Sequence, residues 1–263
     1  MITSAPIMRT GRRRGNFDRI SAMGTNPSRR DFLLSSVLAA AREDVLSLCG
    51  IEFKRMEEKP GPRRYVRIHG DEETAGQALE LHISKHAGTA YSVTGKDRFV
   101  RVADGKLDPN RMFSRAGASM SFRRENPWWA EEQLERALNW VDARRPKLES
   151  ALMPAGGGLL FAVHNNSHGY SVEAEIPISQ RTSLPRRESP HEFFLVTAPD
   201  DYLKLSTGPY NVVLQNDAKG EDDGSLSRLF ARRGLRYVNL EVELGKLDLQ
   251  LEMMEWLERT LPE

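Results

Sequence analysis

The run LLFAVH at 159–164 contains no polar residue until its last position. A strand that is apolar on both faces must be covered on both faces. A parallel strand at the centre of an α/β sheet meets that demand. The chain around it alternates in the matching way. Strands are expected at 65–69, 89–94, near 99–102, at 193–197, 211–215 and 237–244. Helices are expected from Glu72 to His86, from Pro127 to about Arg145, from Pro199 to Ser206, from a Ser225 cap to Arg233, and from Leu247 to Leu261. Residues 54–64, 96–113 and 148–158 read as connections, with Pro146 marking a helix end. The fold class is therefore α/β: a single domain with a mixed, mostly parallel sheet and helices on both faces. That domain is assigned to residues 42–263, behind a basic N-terminal segment at 1–41.

Charge and composition narrow the function. Residues 1–30 carry seven arginines against one aspartate, so +6, which leaves −5 on the remainder of a chain whose net charge is +1. A mildly acidic domain lacks the basic face that phosphate backbones require, so nucleic acid is not the expected partner. The single cysteine, Cys49, excludes an internal disulfide and any multi-cysteine metal cage; it reads as a small buried hydrophobe. No run of 18 apolar residues is present, so no ordinary membrane span is expected. No feature fixes an oligomeric state.

Residues 26–41, NPSRRDFLLSSVLAAA, resemble a twin-arginine export signal. Ser28, Arg29, Arg30, Phe32 and Leu33 follow that motif's order, Ala39 and Ala41 offer a cleavage site, and Met23 would be a more usual start than Met1. The same stretch also fits an amphipathic helix, with Leu34, Leu38, Ala41, Val45 and Leu48 at helical spacing. The first reading implies a periplasmic protein, the second a cytoplasmic one.

In parallel sheets, sites gather at the carboxyl ends of the strands. His69 ends the first expected strand and His164 ends the apolar one. His69 and Glu72, three apart at a strand-to-helix turn, present a neutral nitrogen and an anionic oxygen toward one point, as a catalytic zinc site requires. Interior hydrogen bonding is the plainer role for His164, though Asn165 and Asn166 after it are unusual in a core strand. His168 follows in a loop. In LDPNRMF (107–113), Asn110 and Arg111 offer donors suited to a carboxylate, or simply a solvated turn. In YVNLEVEL (237–244), Val238, Leu240, Val242 and Leu244 share one face while Asn239, Glu241 and Glu243 share the other. A mid-strand carboxylate at Glu241 suits a general base, unless that face is wet.

Taken in order, His69-x-x-Glu72, Asp108-Pro-Asn110-Arg111, strand-end His164 and strand Glu241 resemble the zinc carboxypeptidase superfamily. The closer likeness, over residues 64–245, is to its succinylglutamate desuccinylase/aspartoacylase branch, with Asp71 standing where Asn is common and Pro109 where an apolar residue is common. The resemblance implies Zn2+ held by His69, Glu72 and His164. It implies a substrate carboxylate bound by Asn110 and Arg111, Glu241 as general base and then acid, and an upstream arginine, Arg101 or Arg98, at the oxyanion. The implied activity is hydrolysis of an amide next to a free carboxylate, in a peptide or N-acyl-amino acid. The alternative is a carboxylate- or peptide-binding protein of the same fold without catalysis. A serine hydrolase is disfavoured, because no G-x-S-x-G occurs. Gly156–Gly158 lacks the Lys-Ser/Thr of a phosphate loop. His82 and His86, at i and i+4, have ligand spacing but are expected on an exposed helix face. Trp128 and Trp129 are expected to pack their helix.

Overall fold

The computed structural model describes residues 44–166 and 169–261. The candidate export segment with its alternative helix up to residue 43, the possible start at Met23, and His168 lie outside the described residues. Within them, a nine-stranded sheet runs in the order β1-β2-β4-β3-β7-β11-β9-β10-β8. Its centre is β4 (Thr89–Val93), β3 (Arg64–Arg67), β7 (Leu160–Asn166) and β11 (Tyr237–Glu243), all mutually parallel. On one side, β2 (Ile51–Met56) and β1 (Asp44–Leu48) continue antiparallel. On the other side β9 (Phe193–Val196) is antiparallel to β11 and parallel to β10 (Asn211–Leu214), and the edge strand β8 (Arg181–Ser183) is antiparallel to β10. A separate hairpin pairs β5 (Val100–Val102) with β6 (Gly105–Leu107).

Alternation along the central strands sorts the core into two layers. Tyr65, Phe161, Val163, Val238, Leu240 and Val242 face α1 (Glu73–Ile83), α6 (Pro199–Leu205) and α8 (Leu247–Thr260) through Leu79, Leu205, Met254 and Leu257. Val66, Leu160, Ala162 and Tyr237 face α2 (Arg115–Glu125), α3 (Glu131–Asp142), α4 (Arg145–Leu152) and α7 (Leu226–Arg233) through Phe122, Leu138, Leu148 and Phe230. β7 is buried at all seven positions, which is why its first four residues, Leu160 to Val163, run apolar without alternation. The short helix α5 (Val172–Glu175) follows β7.

The structure corrects several expectations. Residues 44–48 form strand β1, not the end of a helix, and Lys54–Met56 belong to β2 rather than to a loop. Cys49 and Gly50 both take positive φ, 52° and 76°, and so make the two-residue hairpin turn that joins these strands. Helical spacing at Val45 and Leu48 was fortuitous: Val45 is 63% exposed. The helix expected from Pro127 begins at Glu131, and Pro146 opens α4 instead of closing α3. A proline in the first turn gives up only an amide that has no helical partner. Helix α2 has no counterpart among the expectations, since its apolar face is built from Gly117, Ala118, Ser121 and a lone large residue, Phe122. Ser114 caps it by accepting from the Gly117 amide. Cys49 is buried, with its thiol pushed up to about 11 chiefly by that burial. Trp129 stacks on Phe122, whereas Trp128 is 72% exposed and packs little. No helix among the described residues is long and apolar enough to cross a membrane.

Candidate active site

His69 leaves the end of β3 on a tight turn. Gly70 approaches the 95–97 loop so closely that a Cβ would lie 2.3 Å from the Gly95 carbonyl oxygen, and its amide donates to Asp97 O at 3.1 Å. Buried Arg67 holds the same turn through Ser92 Oγ (2.8 Å) and Gly70 O (3.2 Å). This turn delivers Glu72 to the N-cap position of α1. The Ala75 amide in that first turn donates to Asn165 Oδ1 at 2.7 Å, so a side chain of β7 caps the helix. Asn165 in turn donates to Gln250 Oε1 (2.9 Å) and Val242 O, and Gln250 donates to His164 O. The asparagine that is odd for a core strand therefore ties β7, α1, β11 and α8 together.

His69, Glu72 and His164 converge. All three are buried, and each offers an atom within 4.8 Å of the others. His69 Nδ1 lies 2.8 Å from Glu72 Oε1, and His164 Nδ1 lies 3.1 Å from Glu72 Oε2. His69 Nε2 is held by Asp108 Oδ1 at 2.9 Å, the carboxylate–histidine support typical of metal ligands. The His164 Nδ1 hydrogen bond goes to Glu72 Oε1 at 3.2 Å, so Glu72 Oε2 makes only the ion-pair contact, and neither it nor buried His164 Nε2 has a hydrogen-bond partner. Burial opposes the charge on Glu72, yet His164 and His69 hold its carboxyl well below the usual range. Burial likewise opposes protonation of His69, but Glu72 and Asp108 hold its imidazole well above the usual value. Two imidazoles and a carboxylate that jointly attract positive charge, with polar atoms left unsatisfied, fit a metal ion.

Glu241 stands opposite His164 in the β7–β11 register. Burial pushes its carboxyl up, the charge of Glu72 adds to this, and His164 opposes it; the result is about 7. Asn239, two residues back on the same face, donates to Glu241 Oε1 at 3.0 Å. These groups share a cleft of about 470 Å3 with Asn110, Arg111, Arg98, Tyr170 and Arg228. Asn110 and Arg111 sit in a 3-10 turn, where Asp108 Oδ1 accepts from the Asn110 amide. Asn110 Oδ1 accepts from the Leu226 amide at the start of α7, and Arg111 pairs with Asp223 at 3.2 Å. Gly224, at φ +76°, lets the 222–225 segment pack against the 3-10 turn and α2: a Cβ there would lie 2.3 Å from Arg111 O and 2.7 Å from Gly117 Cα.

Arg101 is not in this cleft. It is exposed in β5, opposite Lys106. The β5–β6 hairpin turns it aside, while Arg98, just before the hairpin, reaches to 3.6 Å from Glu72 Oε1. Two participants were not singled out from sequence. Asp108 reads as turn chemistry, which it also performs. Asn239 was legible only as sharing a strand face with Glu241.

Comparison of the sequence with protein-family models finds no match, and comparison with curated proteins finds none. Among solved structures, the chain is similar to a protein of Shewanella denitrificans provisionally assigned as a metallopeptidase, at 10% identity and a TM-score of 0.45, over 89% of this chain and 90% of that one. It is similar to N-formylglutamate amidohydrolase from Ralstonia eutropha at 15% identity and a TM-score of 0.39, over 82% of this chain and 100% of that one. It is also similar to the murein-tripeptide amidase of Escherichia coli at 15% identity and a TM-score of 0.40, over 85% of this chain and 93% of that one.

Proposed function

We propose that the chain is a zinc-dependent hydrolase that cleaves an amide bond next to a free carboxylate, in a peptide or an N-acyl-amino acid. One observation carries this reading: a buried His-Glu-His set and a separate buried carboxylate, Glu241, open into one cleft with Arg98 and Arg111. His69, Glu72 and His164 hold the ion, which when bound acidifies water and polarises a carbonyl.

The remaining steps belong to the chain's own groups. Asn110 and Arg111 grip the substrate carboxylate and so place the scissile amide over the cleft floor. Glu241 takes a proton from water as the water oxygen attacks the carbonyl carbon. Arg98 balances the charge that develops on the carbonyl oxygen. As the C–N bond breaks, Glu241 passes its proton to the leaving nitrogen, giving a carboxylate and an amine. Asn239 keeps the Glu241 carboxyl aimed through both transfers.

Glu241→Gln tests the reading on a panel of N-acyl-amino acids and short peptides. Turnover should fall by about 10²–10⁴-fold, while the zinc lost in His164→Ala is retained. A wild-type protein that cleaves nothing on the panel, with zinc content unaffected by His164→Ala, would exclude a hydrolase at this site.

A further inference from the structure

A second cluster of metal-competent side chains lies away from the cleft, where the last turn of α1 meets α8. His82, expected on an exposed face, is 1% exposed. It is walled by the rings of Tyr65 and Phe161, at 5.5 and 6.4 Å. His86, one turn on, stacks on it with ring centroids 4.1 Å apart and planes 17° from parallel. From α8, Glu255 and Glu258 face the pair.

The donor pattern repeats the logic of the first site. His82 Nε2 lies 3.0 Å from Glu258 Oε1, and Glu258 is itself fixed by Tyr65 Oη (2.9 Å) and Arg63 Nη1 (2.8 Å). A proton on Nε2 donated to Glu258 leaves Nδ1 as a bare lone pair. Nδ1 is buried and without a hydrogen-bond partner. It points toward Glu255 Oε1 at 3.8 Å, and the same oxygen lies 2.8 Å from His86 Nε2. These two separations bracket the roughly 3.3 Å between neighbouring ligands of a tetrahedral ion with bonds of about 2.0–2.1 Å. A carboxylate holding the far nitrogen of a ligating histidine is the support that metal sites use.

We propose that His82, His86 and Glu255 form a second metal site that takes zinc or a similar divalent transition ion and ties the end of α1 to α8. Two imidazoles and one carboxylate select such ions over calcium or magnesium, which prefer oxygen-only cages. Glu258 serves as the positioning carboxylate behind His82. The ion has no part in the chemistry of the cleft. It braces the helix whose N-cap is Glu72. The proposal does not depend on the hydrolase reading.

The test uses the full chain, dialysed against zinc in buffer that keeps free zinc low, with bound metal counted by mass spectrometry. In a His164→Ala background the chain should keep one zinc per molecule. Adding His86→Ala should remove it, and adding Glu255→Gln should weaken it at least tenfold. Both added changes fall on partly exposed residues, so the fold should survive them. Zinc should raise the melting temperature of His164→Ala but not that of His164→Ala/His86→Ala. A His164→Ala chain that binds no zinc and melts at the same temperature with and without it overturns the proposal. So does a bound ion that persists after both His86→Ala and Glu255→Gln. A wild-type chain that holds a single zinc, with none left in His164→Ala, would remove the second site and leave the first intact.

Discussion

Asp108 carries two tasks with one oxygen. Its Oδ1 accepts from the Asn110 amide, which shapes the turn that presents Asn110 and Arg111, and it holds His69 Nε2. Removing it should free the imidazole to rotate and should lower its basicity. Asp108→Ala is expected to weaken zinc binding at the first site by about 10–100-fold, measured by competition with a chromogenic chelator in the His86→Ala background. Glu241 makes a second residue-level prediction. Burial raises its carboxyl to about 7, and the general base of the proposed reaction must be ionised to accept a proton. The rate therefore falls as pH drops through that region and levels off above it. A pH profile of kcat/KM should show an acidic limb near neutrality, absent from the residual activity of Glu241→Gln.

Among the elements, α1 shows most clearly how a helix is held in register with a site. Its N-terminal amide at Ala75 has no cap of its own and takes Asn165 Oδ1 from β7. The same side chain donates to Gln250 of α8. Asn165→Ala would leave a buried amide and a buried glutamine oxygen without partners, each costing roughly 1–3 kcal/mol. Urea denaturation should show a loss of at least about 2 kcal/mol, and zinc affinity at the first site should fall as Glu72 loosens with the helix. The element boundaries that sequence placed poorly have physical reasons. Strand β2 alternates apolar and charged residues beside the edge strand β1, and its charged end around Lys54 and Arg55 looks like a loop in sequence. Helix α2 packs through small residues against Gly224, so it lacks the apolar stripe that marks a helix.

At the scale of the whole molecule, the sequence by itself determined the architecture and the order of the main chemical groups along it. LLFAVH reads as a strand covered on both faces, and the alternating elements around it read as an α/β sheet with sites at its carboxyl ends. His69, His164 and Glu241 stood out because each lies just past a strand, at a strand end or in mid-strand, and Glu72 because it follows His69 by three at the strand-to-helix turn. The choice between Arg98 and Arg101 was not legible, because only two residues of chain lie between them and only the β5–β6 hairpin decides which one enters the cleft. The depth of His82 was not legible either. Its spacing on α1 is that of a surface residue, and it is buried only because α8, more than 160 residues later in the chain, lays Glu255 and Glu258 across it. Periodicity reports which face of an element is apolar. Which distant element covers a polar residue is set by packing, and packing exists only in the folded chain.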